Sequence, residues 1–297
     1  FFFKQKTAYE ISTRDWSSDV CSSDLSKNIS NTSSVFGTGF RSDVSSAGGW
    51  TDKTSINYGF RSSFDTRFNL NNTVTLNGST GIEVQRQNAQ VIGYSMKQNP
   101  ADTTTNGWVM GKPFWVVNAA TSNTAFVTSP TTIFTEWTLT FPKDLSVTAG
   151  LSFNKQHINL DDRFNASTAT RPSNFDTTYR DMIAPHLAIN KVFSKSFSVY
   201  ASYSTGYKAP VSSYFFITTP AVPSPAIPAT ARVNGTLKPE QGAQFEIGSK
   251  GSFLKNRLSY QLALFHTKFT NKMTSVSVPL NSTATAYSYV VNGGEQD

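Results

Sequence analysis

The sequence predicts an all-β fold, an antiparallel transmembrane β-barrel, on three observations. Apolar and polar residues alternate with period two over long segments, as strand residues pointing to opposite faces require. The composition suits strands with one greasy face: 23 Phe, 11 Tyr and 5 Trp, yet only 38% hydrophobic and 15% charged residues, where a soluble domain carries about a quarter charged. Ser, Thr and Asn fill the polar positions. Finally, tight turns at 69–72, 142–145, 193–196 and 254–257 alternate with long intervals. A transmembrane barrel demands that asymmetry, with short periplasmic turns and long extracellular loops.

Residues 26–52 are rich in Ser, Gly and Thr and read as loop, with a strand edge near Phe36–Phe40. In 55–68, Tyr58, Phe60, Phe64 and Phe68 share one face and Asn57, Arg61, Asp65 and Arg67 the other. NLNN turns by its Asn content. The return strand 73–86 sets Val74, Leu76, Ile82 and Val84 against Thr75, Asn77, Ser79, Glu83 and Gln85, and 87–131 reads as a long loop. Strand 132–141 presents Ile133, Trp137, Leu139 and Phe141; after PKDL, 146–160 presents Val147, Ala149, Leu151 and Phe153. A loop at 161–174 precedes strand 178–192, in which Pro185 is discordant, because proline removes a ladder donor, and marks a bulge. FSVYASYSTGYKAP (197–210) and LKPEQGAQFEIGSKGSF (237–253) flank a stiff, proline-rich loop; LSYQLALFHTKFTNKM (258–273) precedes a polar loop and YSYVVNGGEQD (287–297). Eight full strands and a partial ninth are legible.

Several function classes lack support. Net charge is +7, but the basic residues are scattered, so no nucleic-acid patch forms. Cys21 is the only cysteine, and His157, His186 and His266 lie far apart without a carboxylate cluster; no metal or cofactor site is expected. None of the familiar nucleophile, P-loop, zinc-protease or dinucleotide motifs occurs, and an enzyme is not expected. The polar face gathers Arg61, Asp65, Arg67, Glu83, Glu136, Glu246 and Lys250. Such charge suits a water-filled lumen or the surface of an inserted plug rather than lipid. The apolar faces end towards the cell surface in Arg86, Lys155, His266 and Lys268, positioned for lipopolysaccharide phosphates. Loop aromatics Trp108, Phe114, Trp115, Tyr214, Phe215 and Phe216 are candidate ligand contacts, with loop packing as the alternative.

Residues 1–25 share no pattern with the remainder of the chain and lack the basic and apolar regions of a signal peptide. They resemble translated sequencing-adapter read-through and are set apart as a non-native or disordered leader, with the barrel domain at 26–297.

The segment VYASYSTGYKAP resembles a signature of TonB-dependent outer-membrane receptors, carried here by Gly206, Tyr207, Lys208 and Pro210. LKPEQGAQFEIGSK resembles the next signature, with Leu237, Lys238, Pro239, Glu240, Glu246 and Gly248, and VVNGGEQ the start of a later strand, with Asn292 and Gly293. The resemblance covers 199–297. It implies a barrel of 22 strands around an N-terminal plug, in the bacterial outer membrane. Its implied task is import of a scarce nutrient, most often a ferric siderophore, energised by the TonB complex. About 8–10 of those strands lie here, and no plug or TonB box is legible. The chain therefore reads as an interior piece, not expected to function alone, with TonB contacted through an N-terminal region outside it. A passive porin-like barrel and a secreted β-sandwich, carbohydrate-binding or adhesin-like, share the alternation.

Overall fold

The computed structural model describes residues 12–15, 19–46, 49–98, 115–167, 172–219, 222–223, 226–227, 230–255, 257–280 and 286–296. One antiparallel sheet holds most of the chain: β1 (Ser12–Asp15), β2 (Asp19–Ser26), β3 (Ile29–Ser46), β4 (Gly49–Asn69), β5 (Thr75–Gln98), β6 (Trp115–Phe141), β7 (Leu145–Asp162), β8 (Asn174–Ser194), β9 (Phe197–Lys208), β14 (Glu240–Phe253) and β15 (Leu258–Thr270). From β3 to β15 each strand pairs with the next in this order, while β1 and β2 both lie along β3. Such a continuous curtain is not a two-sheet sandwich. Three small ladders branch from it: β10 (Phe216–Thr219) with β13 (Thr230–Val233), β11 (Val222–Pro223) with β12 (Ala226–Ile227), and β16 (Met273–Pro279) with β17 (Ala286–Asn292).

The strands are much longer than the alternation predicts. β6 has 27 residues, where about 9–11 cross a bilayer. Of the predicted loop 87–131, β5 takes the part up to Gln98 and β6 the part from Trp115. The stretch 26–52 is chiefly β3 and the start of β4, and the polar stretch after Met273 is the β16–β17 hairpin. Residues 12–15 and 19–26, set apart in the sequence, lie along β3, with a register irregularity between Asp24 and Ser26. For β5, β6 and the β16–β17 hairpin, one cause accounts for the difference. Outside the lipid both faces of a strand meet water, so backbone pairing persists without apolar alternation.

Turn chemistry is local. Asn71 Oδ1 accepts from the backbone N–H of Thr73 (2.8 Å) and Val74 (2.7 Å), an Asx turn that closes β4 onto β5. Leu254 and Lys255 close β14 onto β15 with φ of 52° and 55°, a left-handed pair that Asn-Gly adopts with less strain. Replacing them, Leu254→Asn with Lys255→Gly, should stabilise the barrel by about 1–2 kcal/mol, read as a higher urea midpoint in vesicles. Pro185 pairs with Leu151 at the point where the β8–β9 ladder, which begins at His186, has ended. The bulge lies farther along, at Arg180–Asp181, opposite the step from Asn154 to Gln156. Proline thus occupies a position that asks for no donor towards β9.

The apolar face is continuous. One ladder row reads Phe68, Leu76, Leu139, Val147, Ile189, Ala201, Ile247, Leu264 across eight strands. The solvent-exposed apolar residues drift relative to this row. On the face of this row the exposed apolar residues include Ile56, Tyr58, Phe60 and Phe64 on β4, Ile133 on β6, Ile183, Leu187, Ile189 and Phe193 on β8, and Leu258, Leu262 and Leu264 on β15, while Phe265 and Phe269 on β15 are exposed on the opposite face. From Phe60 to Leu262 the centre of the band shifts by roughly ten residues over seven strand steps, about 1.4 per step, which at ~3.3 Å rise and ~4.8 Å spacing is a tilt near 45°. Transmembrane barrels tilt their strands by about 35–45°. Register and exposure together therefore give a tilt of the kind that membrane-spanning strands have. Among the described residues no helix is long and apolar enough to cross a membrane.

Candidate functional site

The polar face carries its charge in cross-strand pairs. Arg61 reaches Glu83 at 3.5 Å and lies 5.2 Å above the Phe134 ring. His186 Nδ1 is 3.1 Å from Glu136. Tyr200 donates to Glu246 at 2.6 Å, Gln244 donates to the other oxygen at 3.0 Å, and Lys250 lies 5.4 Å over the Tyr200 ring. The turn end of this face opens into a polar cavity of about 740 Å³ lined by Asp65, Arg67, Asn77, Ser79, Glu136 and Lys27. All seven charged residues expected on the polar face lie there. These ion pairs are half-exposed, so each is worth little in stability; together they keep the wall wettable.

Gly248 explains itself here. A Cβ at this position would lie 2.5 Å from the Tyr200 ring, its direct ladder partner. The ring lies flat across the glycine, aiming its hydroxyl at Glu246. Gly248→Ala should displace the ring, lose the Tyr200–Glu246 bond and cost about 1–3 kcal/mol. In a Tyr200→Ala background the same substitution should cost almost nothing, a double-mutant cycle that isolates the contact. Nothing in the structure demands glycine at Gly206, where a Cβ meets no atom within 4 Å.

At the loop end the alternation changes phase. On β7 the apolar residues are Val147, Leu151 and Phe153, but Ile158 and Leu160 occupy the opposite, polar face and are 1% exposed. The chain between β9 and β14 folds over them. A turn of 3₁₀ helix at Ser212–Tyr214 delivers Phe215 into a cluster with Ile158, Leu160 and Leu237, flanked by Phe126, Phe175, Tyr179, Phe216 and Val290. Phe215 has no exposed surface and lies 4.9 Å from the Phe175 ring. The Tyr179 hydroxyl donates to the Leu237 carbonyl at 3.0 Å. The described parts of this hairpin, within 209–219 and 230–239, thus pack on the polar side of the sheet at its loop end.

The signature residues fasten it. Glu240 accepts from the Met273 N–H at 2.6 Å and pairs with Lys208 at 3.2 Å, tying β9, β14 and β16. Asn292 accepts from the Lys238 N–H (2.8 Å) and donates to the carbonyls of Lys238 (2.9 Å) and Asn271 (2.7 Å). Asn234 donates to the Val290 carbonyl at 2.6 Å. Pro210 is buried at the base, and the Gly293 N–H donates to Lys272 at 2.7 Å. Gln296 bridges back to Phe269, so the chain after β17 returns along β15. Of the signature positions, Lys208, Lys238, Glu240, Asn292 and Gly293 are structural clamps.

The aromatic candidates divide. Trp108 and Phe114 lie outside the described residues. Trp115 opens β6 at the loop end and is half-exposed. Tyr214 and Phe216 pack against the cluster, and Phe215 is wholly inside it. A side chain without accessible surface cannot contact a ligand, so Phe215 is a packing residue. Its signal in the sequence is the phase change at Ile158 and Leu160, which alternation on the other face conceals. Among the described residues no group of three His, Cys, Asp or Glu side chains is placed to hold a metal.

Comparison with known proteins fits this geometry. The family described as "TonB dependent receptor-like, beta-barrel" matches residues 4–297. Among solved structures, the siderophore receptor PiuA from Acinetobacter baumannii aligns at 17% identity and a TM-score of 0.63, over 92% of this chain and 41% of that one. The ferric citrate transporter FecA aligns at 11% identity and a TM-score of 0.61, over 86% and 35%. The copper transporter OprC aligns at 12% identity and a TM-score of 0.56, over 90% and 39%. The chain spans between 35% and 41% of the length of these structures. No curated protein matches.

Proposed function

The chain belongs to the TonB-dependent receptor β-barrel family, and on that premise we propose that it forms part of the wall and mouth of an outer-membrane receptor importing a scarce, metal-bearing nutrient of the ferric siderophore class. The family is one of receptors, not enzymes. The observation that carries the reading is the 209–239 hairpin, clamped across the polar face. A passive channel needs an open mouth, whereas a selective receptor needs fixed surfaces there to recognise cargo. The names of the similar structures, a siderophore receptor, a ferric citrate transporter and a copper transporter, share metal-bearing cargo. Energy would come from the TonB complex, through segments of the protein outside this chain.

The outer face fits a lipopolysaccharide leaflet. Arg86 stands opposite Tyr58, and Lys155 follows Phe153, both towards the loop end of the apolar band. His266 stands opposite Phe245; Lys268 is committed to Glu295 at 2.9 Å, which leaves Arg86 and Lys155 as the principal phosphate contacts. The test is uptake of radiolabelled iron as ferric chelates, under iron limitation, by cells carrying the intact receptor. Uptake that stops when the proton-motive force or TonB is removed supports the reading. Uptake indifferent to both makes the protein a passive channel.

A further inference from the structure

We infer an unassigned site at the mouth, a cavity that binds an anionic chelate through Arg232 and Lys238; this rests on the receptor reading above. The cavity, of about 620 Å³, lies between the end of the clamped hairpin and β17. Its lining includes Arg232, Asn234, Lys238, Asn271, Tyr289 and Asn292, and no carboxylate. The nearby carboxylates are already engaged: Glu240 with Lys208 and the Met273 N–H, Glu295 with Lys268. Lys272 donates to Gln296. The balance facing the cavity is therefore positive, supplied by Arg232 and Lys238.

The geometry is built rather than incidental. The Arg232 guanidinium lies 5.6 Å over the Tyr289 ring, which is itself stacked on Tyr287 at 5.8 Å. A guanidinium held on an aromatic face keeps its in-plane N–H donors free for a planar, oxygen-rich anion. The backbone of Lys238 is fixed on both sides by Asn292, so its exposed ammonium projects from a rigid point. Carboxylate or catecholate oxygens of a metal chelate match that donor set, with bidentate pairing to Arg232. A cationic chelate would be repelled. The Asn234 and Asn292 side chains hold the walls rather than the ligand, since each is spent on backbone groups.

The experiment uses the intact receptor in detergent, titrated with ferric citrate as the anionic probe and ferrioxamine B as the cationic one, followed by quenching of intrinsic fluorescence. Ferric citrate should bind at least tenfold more tightly than ferrioxamine B. Arg232→Ala with Lys238→Ala should weaken it at least tenfold, Arg232→Lys less, and Arg232→Glu with Lys238→Glu should reverse the preference. Heat-modifiable gel mobility, unchanged in every variant, shows that the barrel still folds. Equal binding of the two probes, no binding of ferric citrate, or binding indifferent to these substitutions overturns the site. Charge-dependent binding without energised uptake in cells would leave the site standing and remove the import reading; energised uptake indifferent to charge reversal would do the opposite.

Discussion

Phe215→Ala is expected to cost about 3–5 kcal/mol, as truncation of a fully buried aromatic does, and to release the mouth hairpin. The ring has no exposed surface and joins the hairpin to Ile158 and Leu160 on β7. The loss should be local, because the ladders from β3 to β15 do not pass through it. Amide exchange in Phe216–Thr219 and Thr230–Val233 should rise steeply, while protection in β7 and β14 persists. Limited proteolysis should cut the hairpin in the variant and spare the parent. Tyr214→Ala, at a partly exposed neighbour, should do much less. An unchanged exchange pattern in Phe215→Ala would mean that the hairpin is held by its polar clamps alone.

Ile133→Arg is the second large effect. Ile133 sits mid-band on β6, between Ile82 and Phe153 in the ladders and 51% exposed. In water such exposure would be harmless. In lipid, an arginine near the midplane of a barrel costs about 2–4 kcal/mol. Thr132→Arg, one residue away, turns to the polar face beside Glu83 and should be close to neutral. The contrast between adjacent residues separates a membrane wall from a sheet exposed to water on both sides. Measured by urea titration in vesicles, Ile133→Arg should lower the midpoint strongly and Thr132→Arg barely.

The lipid-embedded part of the fold is legible in the sequence because lipid imposes a pattern. Phe60, Val84, Ile133, Phe153 and Ile189 fall on one face from period two alone, and the tight turns are set by their own residues. The extensions of β5 and β6 beyond the bilayer are not legible, because Gln87, Asn88 and Thr124 meet water whichever way they point. Backbone pairing leaves no side-chain signature there. The mouth escapes the sequence for a related reason. Tyr214, Phe215 and Phe216 look alike as loop aromatics, yet their fates depend on Ile158 and Leu160 more than fifty positions away. The signatures around Lys208, Glu240 and Asn292 are visible as a resemblance; their role as a clamp emerges only with the three hairpins brought together. Arg232 and Tyr289 carry no local pattern, and only the packing of the β10–β13 ladder against β17 makes them neighbours.

Depth measurement tests most directly whether the sheet is a tilted wall in lipid. Single-cysteine variants at Phe60, Phe68, Leu262 and Leu264, with Cys21 replaced by serine, would carry an environment-sensitive fluorophore in the intact receptor, in vesicles with lipids brominated at known depths. Phe68 and Leu264 belong to one ladder row, whereas Phe60 and Leu262 mark the centre of the exposed band. Phe60 and Leu262 should be quenched at matching depth near the bilayer midplane, with Phe68 shallower and close to the turn side. Equal depth for Phe68 and Leu264, or water exposure at Phe60, would contradict the tilted-wall account.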